Sequence, residues 1–262
     1  MRAVLPALLC AACHVYDPVD EIPHREFATT RDAVAAILDD VARPRVYAVG
    51  EYHPTRDLVG PPASPIARFT DEMIGLLEPR ARHMVIEAWL DTRCAAPQLE
   101  VDQLVGASEH AGIATYGLPV TCIEHSAMLD RTGHVDFLRL LELITEKLHD
   151  TTRALVDQGK DVIVYGGALH NDLFPHWPLE ELTYARPLAA ELGGDSVLEI
   201  DLVVPEIVAP MQSIRYEPWF PLLARAAPYR VTLWERGPSS YVVILPSLSE
   251  AVAQVARPIV ED

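Results

Sequence analysis

The chain of 262 residues predicts an α/β domain, a largely parallel sheet flanked by helices, with an antiparallel hairpin near the C-terminus. Short apolar runs rich in Val, Ile and Tyr alternate with longer segments of helical period, the pattern that lays helices on a parallel sheet. Several of the runs end on a glycine or a carboxylate and then a histidine, as in Val49-Gly50-Glu51-Tyr52-His53 and Tyr165-Gly166-Gly167-Ala168-Leu169-His170. Near the end, strand-like runs at Tyr229 to Glu235 and Tyr241 to Leu245 flank Arg236-Gly237-Pro238-Ser239-Ser240, which is hairpin chemistry.

In chain order, Thr29-Thr30-Arg31-Asp32 has the spacing of a helix start, and Val34, Ile37, Leu38 and Val41 continue it as an apolar stripe that stops at Pro44. Arg45 to Gly50 reads as the first strand. Ser64-Pro65 makes an N-cap and first-turn pair for a helix carrying Ile66, Phe69, Met73, Leu76 and Leu77. His83 to Glu87 is the second strand, followed by an irregular stretch from Trp89 and Arg93 to about Ile113. Val120-Thr121-Cys122-Ile123-Glu124-His125 reads as the third strand. The clearest helix runs from about His134 to Gln158, with Phe137, Leu138, Leu141, Ile144, Leu148 and Leu155 on its buried face and Gly159 as its stop. A strand to Gly167 follows. Leu179 to Leu192 then forms a helix interrupted at Pro187 and closed by Gly193-Gly194. Ser196 to Val204 is a fifth strand. Residues 205 to 228, rich in proline and aromatics, suit an ordered loop or lid. Ser247-Leu248-Ser249-Glu250 is a capping box for a last helix.

The size allows one domain with a sizeable core. A net charge of -17 speaks against non-specific nucleic-acid binding and against docking on anionic lipid. Met1-Arg2 and the short apolar run to Cys13 predict a secretory signal over residues 1–13, far shorter than the ~20 residues of a membrane span. Ala11-Ala12-Cys13 resembles the end of a bacterial lipoprotein signal, although Cys10 stands where leucine is usual. Membrane contact is therefore expected only through a lipid on Cys13, with residues 14–28 as a polar tether and 29–262 as the domain. The chain is expected to be exported to the cell envelope. Cys10-Ala11-Ala12-Cys13-His14 also spells a haem-attachment pattern, but it lies within the targeting run, which favours the signal reading. Cys94 and Cys122 would remain in the mature chain, either paired in an oxidising compartment or as two buried thiols.

Open α/β sheets bind ligands beyond the carboxyl ends of their strands, where Glu51, His53, Glu87 and His170 are delivered. Glu51 and His53, two apart on extended backbone, share a face and could serve as an acid/base or metal-binding pair, or as an ordinary strand end and loop residue. Glu87 follows an apolar run and is costly to bury unpaired. His170 follows a glycine pair that permits close backbone approach. Glu124 and His125 are weaker candidates, and Glu199 and Asp201 are either further edge carboxylates or mid-strand residues in a salt bridge. No G-x-S-x-G elbow, P-loop, H-E-x-x-H or G-x-G-x-x-G occurs.

At Gly50-Glu51-Tyr52-His53, Val85-Ile86-Glu87 and Gly166 to His170, the sequence resembles the superfamily that joins ChaN-like haem-binding lipoproteins, Tiki-type metalloproteases and erythromycin-esterase-like hydrolases. The resemblance spans about residues 45 to 205 and rests on short motifs, and the lipoprotein-like start agrees with the ChaN-like branch. It implies that Glu51, His53, Glu87 and His170 line one pocket. It further implies a hydrolase of a small-molecule or peptide substrate, in which these residues hold a divalent metal or His53 activates water directly. The alternative it implies is a non-catalytic haem-uptake lipoprotein, with the 210–221 stretch as an apolar platform for haem.

Overall fold

The computed structural model describes residues 22–53, 64–88, 98–129, 133–176, 178–226 and 229–247. The expected signal with Cys10 and Cys13, most of the loop after Pro54, Trp89, Arg93 and Cys94, and the last helix beyond Ser247 lie outside them. The fold is α/β: an eight-stranded sheet, mostly parallel, with helices on both faces.

The strands are β1 (Arg25–Phe27), β2 (Val46–Glu51), β3 (His83–Ile86), β4 (Ala114–Gly117), β5 (Val162–Gly167), β6 (Val197–Val203), β7 (Val231–Gly237) and β8 (Ser240–Ile244), in the spatial order β1-β7-β8-β6-β2-β5-β3-β4. Strands β8 to β4 of that order run parallel, and β7 is antiparallel to both of its neighbours. Arg25–Phe27, expected within the tether, instead form the edge strand on β7. β2, β5 and β6 are buried along nearly their whole length, as strands covered on both faces must be.

The alternation of side chains sorts the core. Tyr47, Val49, Ile163, Tyr165, Leu198 and Ile200 face one layer, and Val46, Ala48, Val162, Val164 and Val197 face the other. The first layer holds α1 (Thr30–Asp40), α2 (Pro65–Glu72), α3 (Ile74–Leu77) and α4 (Leu99–His110). α1 starts as the sequence predicts: Thr29 caps it by accepting from the Asp32 N–H at 3.1 Å, and Ala33, Val34, Ile37 and Leu38 are buried. Ser64 likewise caps α2, with Pro65 in its first turn. The helix expected to continue to Leu77 breaks at Met73, where φ is -113°.

The expected third strand is absent. Val120 to His125 leads into a short helix, α5 (Cys122–Ala127), because Thr121 and Glu124 cap each other's backbone N–H groups. Glu124 is therefore occupied by Thr121 and by Lys147 at 2.8 Å, which together with the Thr121 contacts hold its carboxyl down at about 2. The outer neighbour of β3 is β4, and α4 occupies much of the stretch expected to be irregular.

α6 (Phe137–Asp157) and α8 (Ala185–Leu192) cover the second face. Phe137 and Leu138 are 67% and 57% exposed, contrary to expectation; the apolar stripe turns inward at Ile144, where α6 meets β5 and α8. The break expected at Pro187 comes earlier, at Thr183-Tyr184, since a proline in the first turn of α8 forfeits no helical hydrogen bond. α7 (Ala168–Asn171) is a single turn directly after β5, so His170 is helical rather than part of a turn. The described part of the next stretch, 205–226, is the ordered alternative and not a lid. α9 (Pro205–Val208) and two 3₁₀ turns fold it onto the first layer, burying Trp219, Phe220, Leu222 and Leu223.

Candidate functional site

Strand register assembles the site. Glu51 pairs with Gly167 across β2 and β5, and Ile86 pairs with Tyr165 across β5 and β3, so Glu87 lies one step beyond the sheet beside Gly166 and Gly167. The Glu87 N–H donates to the Tyr165 carbonyl at 2.8 Å, which extends the pairing by that one residue. Side chains from opposite faces of the sheet can meet there because β5 ends in residues without side chains. A Cβ on Gly166 would stand 2.5 Å from Glu87 Oε2 and 2.9 Å from Glu87 Cβ.

Glu51 and His53 form a dyad. His53 Nδ1 lies 3.1 Å from Glu51 Oε1, and the Tyr165 hydroxyl donates to Glu51 Oε2, so both carboxylate oxygens are engaged. Burial and the charge of Glu51 hold the Tyr165 hydroxyl well above its ordinary range, which keeps it a donor. The hydrogen bond to Glu51 raises the His53 imidazole above its ordinary value, with the charges of Glu51 and Glu87 adding to it and burial opposing.

Glu87 and His170 form the opposite wall. Glu87 Oε2 accepts from the Gly167 N–H at 2.6 Å, and Glu87 Oε1 lies 3.9 Å from His170 Nε2. The His170 ring is 3% exposed and its Nδ1 is 2.9 Å from both the Thr145 hydroxyl and the Leu182 carbonyl. The dyad and this wall converge over Gly167. A Cβ there would sit 3.3 Å from His53 Nε2, 3.5 Å from Glu87 Oε2 and 3.6 Å from His170 Cδ2.

Of the residues the sequence singled out, Glu51, His53, Glu87 and His170 come together, while Glu124 and His125 sit apart on α5 and do not line the cleft. That cleft, of about 570 Å³, opens beside the dyad, with Ile66, Ile86, Leu99 and Val101 as its apolar lining and Glu51, Glu87 and His53 as polar groups. Replacing Gly167 with alanine is expected to leave the fold intact, because its φ of -64° and ψ of 137° suit any residue. The added methyl would fill the point of convergence and lower any turnover carried out there on the order of 10²-fold, as displacements of about 1 Å do. Paired turnover and melting measurements check this. A variant as active as the parent would show that the convergence is not used.

A second cluster, behind the first, was missed in part by the sequence. Glu199 and Asp201 lie within β6, and Arg236 at the end of β7 reaches them and Asp172. Its Nη1 donates to Asp172 Oδ1 at 2.9 Å and Glu199 Oε1 at 3.0 Å, and its Nη2 to Asp201 Oδ2 at 3.3 Å. The mid-strand salt bridge is thus the correct alternative for Glu199 and Asp201. Burial pushes Glu199 up to about 7 and Asp201 well above the usual carboxylate range, with Arg236 opposing. Asp201 Oδ1 fills the place a side chain on Gly50 would need, which explains the glycine before Glu51. Arg236 carried no signal in sequence because it looks like a hairpin-turn residue.

Among the described residues, no group of three or more His, Cys, Asp and Glu side chains is arranged to hold a metal ion. The described aromatics of 210–221 do not form the platform expected for haem, since Trp219 is fully buried and packs, tilted, near Tyr52 at 5.8 Å between centroids. Of that stretch, Tyr216 is 91% exposed. Cys122 is disulfide-bonded; Cys94, the partner considered from sequence, lies outside the described residues.

Fold and site together define a largely parallel α/β protein with a carboxylate–imidazole dyad at the sheet's carboxyl edge. No protein-family model matches the chain, and no curated protein matches it. Among solved structures, it is similar in backbone to the type III effector HopBA1, at a TM-score of 0.46 and 12% identity over 88% of this chain and 99% of that one. It is also similar to RRSP, a MARTX toxin effector domain from Vibrio vulnificus CMCP6, at a TM-score of 0.41 and 12% identity over 87% of this chain and 41% of that one.

Proposed function

We propose that this chain is a hydrolase of a small-molecule or peptide ester or amide, exported to the cell envelope and tethered there through Cys13, in which His53 activates water. The observation that carries the catalytic part is the clamped dyad: Glu51 is fixed by Tyr165 and orients His53 through Nδ1, which leaves Nε2 over the open floor at Gly167. A base held this way takes a proton from water as the water oxygen attacks a carbonyl carbon. The imidazolium, stabilised by Glu51, then returns that proton to the leaving alcohol or amine as the carbon–heteroatom bond breaks. Glu87 and His170 would hold polar groups of the substrate or the water on the opposite wall. The reading takes imidazole as the activator of water because the Glu51–His53 pair is already formed and oriented.

The test is a screen of nitrophenyl esters and peptides with the purified chain and its His53→Ala and Glu51→Gln variants, all shown to be folded. Hydrolysis by the parent that both variants lose is expected; retention at the parent's rate in His53→Ala would refute the proposal. The pH profile gives a separate prediction. His53 must be neutral to act as base, and its value is raised from the ordinary 6.5 by Glu51, so activity should rise with pH along a limb centred above 6.5. Glu51→Gln removes the cause of the increase, so in any residual activity the limb should move to lower pH. An unmoved limb would assign it to another group.

A further inference from the structure

We propose that Thr145, in the middle of α6, is a positioning residue. With the Leu182 carbonyl, it holds His170 as the tautomer protonated on Nδ1 and so turns the Nε2 lone pair toward Glu87, which lines the cleft. This rests on the hydrolase assignment for its purpose but not for its geometry. Leu182 O, 2.9 Å from His170 Nδ1, can only accept, so Nδ1 must carry the proton. The Thr145 hydroxyl is also 2.9 Å from Nδ1 and has a single proton to give. It accepts from Nδ1–H and gives that proton to Leu141 O at 2.9 Å or Leu182 O at 3.0 Å. This assignment satisfies the whole group at once. With the ring 3% exposed, water offers little competition.

The consequence lies at the other nitrogen. In the neutral ring, Nε2 is an acceptor, and so is Glu87 Oε1, 3.9 Å away and beyond hydrogen-bond reach. Two acceptors facing across such a gap suit a group with two protons to give, a water molecule or a substrate NH2. His170 therefore complements His53. One imidazole exchanges a proton through a carboxylate-held ring, and the other presents a fixed lone pair. Thr145 acts through His170 and does not itself reach the cleft.

Nitrogen-15 NMR of the histidine rings in the full chain tests this, with p-nitrophenyl butyrate hydrolysis measured alongside. In the parent, His170 should show a protonated Nδ1 and an unprotonated Nε2 as a single tautomer. Thr145→Val, close in shape, should broaden the Nδ1–H resonance, admit the other tautomer and lower turnover between roughly 10-fold and 10²-fold. Thr145→Ser should restore both, and Thr145→Ala takes the place of valine if that variant does not fold. A parent His170 protonated on Nε2, or a Thr145→Val spectrum matching the parent's, overturns the proposal. If the parent does not hydrolyse the ester, that counts against the hydrolase assignment for this substrate class, while the ring spectra still decide the role of Thr145.

Discussion

Replacing His53 with alanine is expected to lower turnover by about 10³-fold, within the range that a positioned acid–base group contributes. The change should be nearly invisible to stability, because the side chain is 60% exposed and its bond to Glu51 is partly open to solvent. A shift in unfolding free energy of no more than about 0.5 kcal/mol is expected, as for surface substitutions elsewhere. That pairing of a large kinetic effect with a small thermodynamic one separates catalysis from architecture. If the variant melts far below the parent, His53 is holding the loop, and its proximity to Glu51 has a structural purpose.

Replacing Arg236 with methionine should do the reverse. It removes the guanidinium while leaving Glu199 and Asp201, 0% and 1% exposed, without a cation. Stranding one partner of a buried ion pair costs about 3–5 kcal/mol. The pH dependence identifies the cause. Burial raises Glu199 from 4.5 to about 7 in the folded protein, so the folded state binds a proton that the unfolded chain releases. Folded stability therefore falls as pH rises from about 4.5 through 7, and is greatest from this source below that window. Without Arg236, the carboxylates need protons even more, so the loss should be greater near pH ~8 than near pH ~5. Urea unfolding of parent, Arg236→Met and Glu199→Gln at both values measures it. An equal loss at both would mean that Arg236 matters for packing and not for charge.

The parts of this protein that could be read from sequence are those in which a local rule and the tertiary structure agree. Thr29 and Ser64 cap helices as their spacing suggests, and the buried strands at 46–51, 83–86, 162–167 and 197–203 announce themselves as apolar runs. Glu51, His53, Glu87 and His170 were legible for the same reason: each lies at the end of a strand or within three residues of it, and parallel strands deliver their ends to one edge. Misreadings arose where two local signals compete. At Val120 to Glu124, β-branched residues argue for a strand, but a threonine and glutamate three apart argue for a helix start, and the cap won. α4 was missed because Gln98 makes no side-chain cap and its buried positions, Val101, Leu104 and Ser108, make a thin stripe interrupted by a polar residue. Tyr165, Thr145 and Arg236 could not be found by pattern at all. Their roles depend on partners 114, 25 and 37 positions away, respectively, which no local window contains.

The order of the strands in space has a consequence for how the chain can be made. β8, the last described strand in chain order, pairs with β6 in the interior of the sheet, and β7 receives β1, the first. A nascent chain stopping short of residue 230 has the central strands and both helical layers, but no cation for Glu199 and Asp201 and an unprotected edge along β6. Such a chain would hold acids without a counter-charge and an open strand border that invites wrong pairing. Synthesis of the β7–β8 hairpin supplies the counter-charge and covers that border together, so the acids of β6 and its open side are settled by one late element.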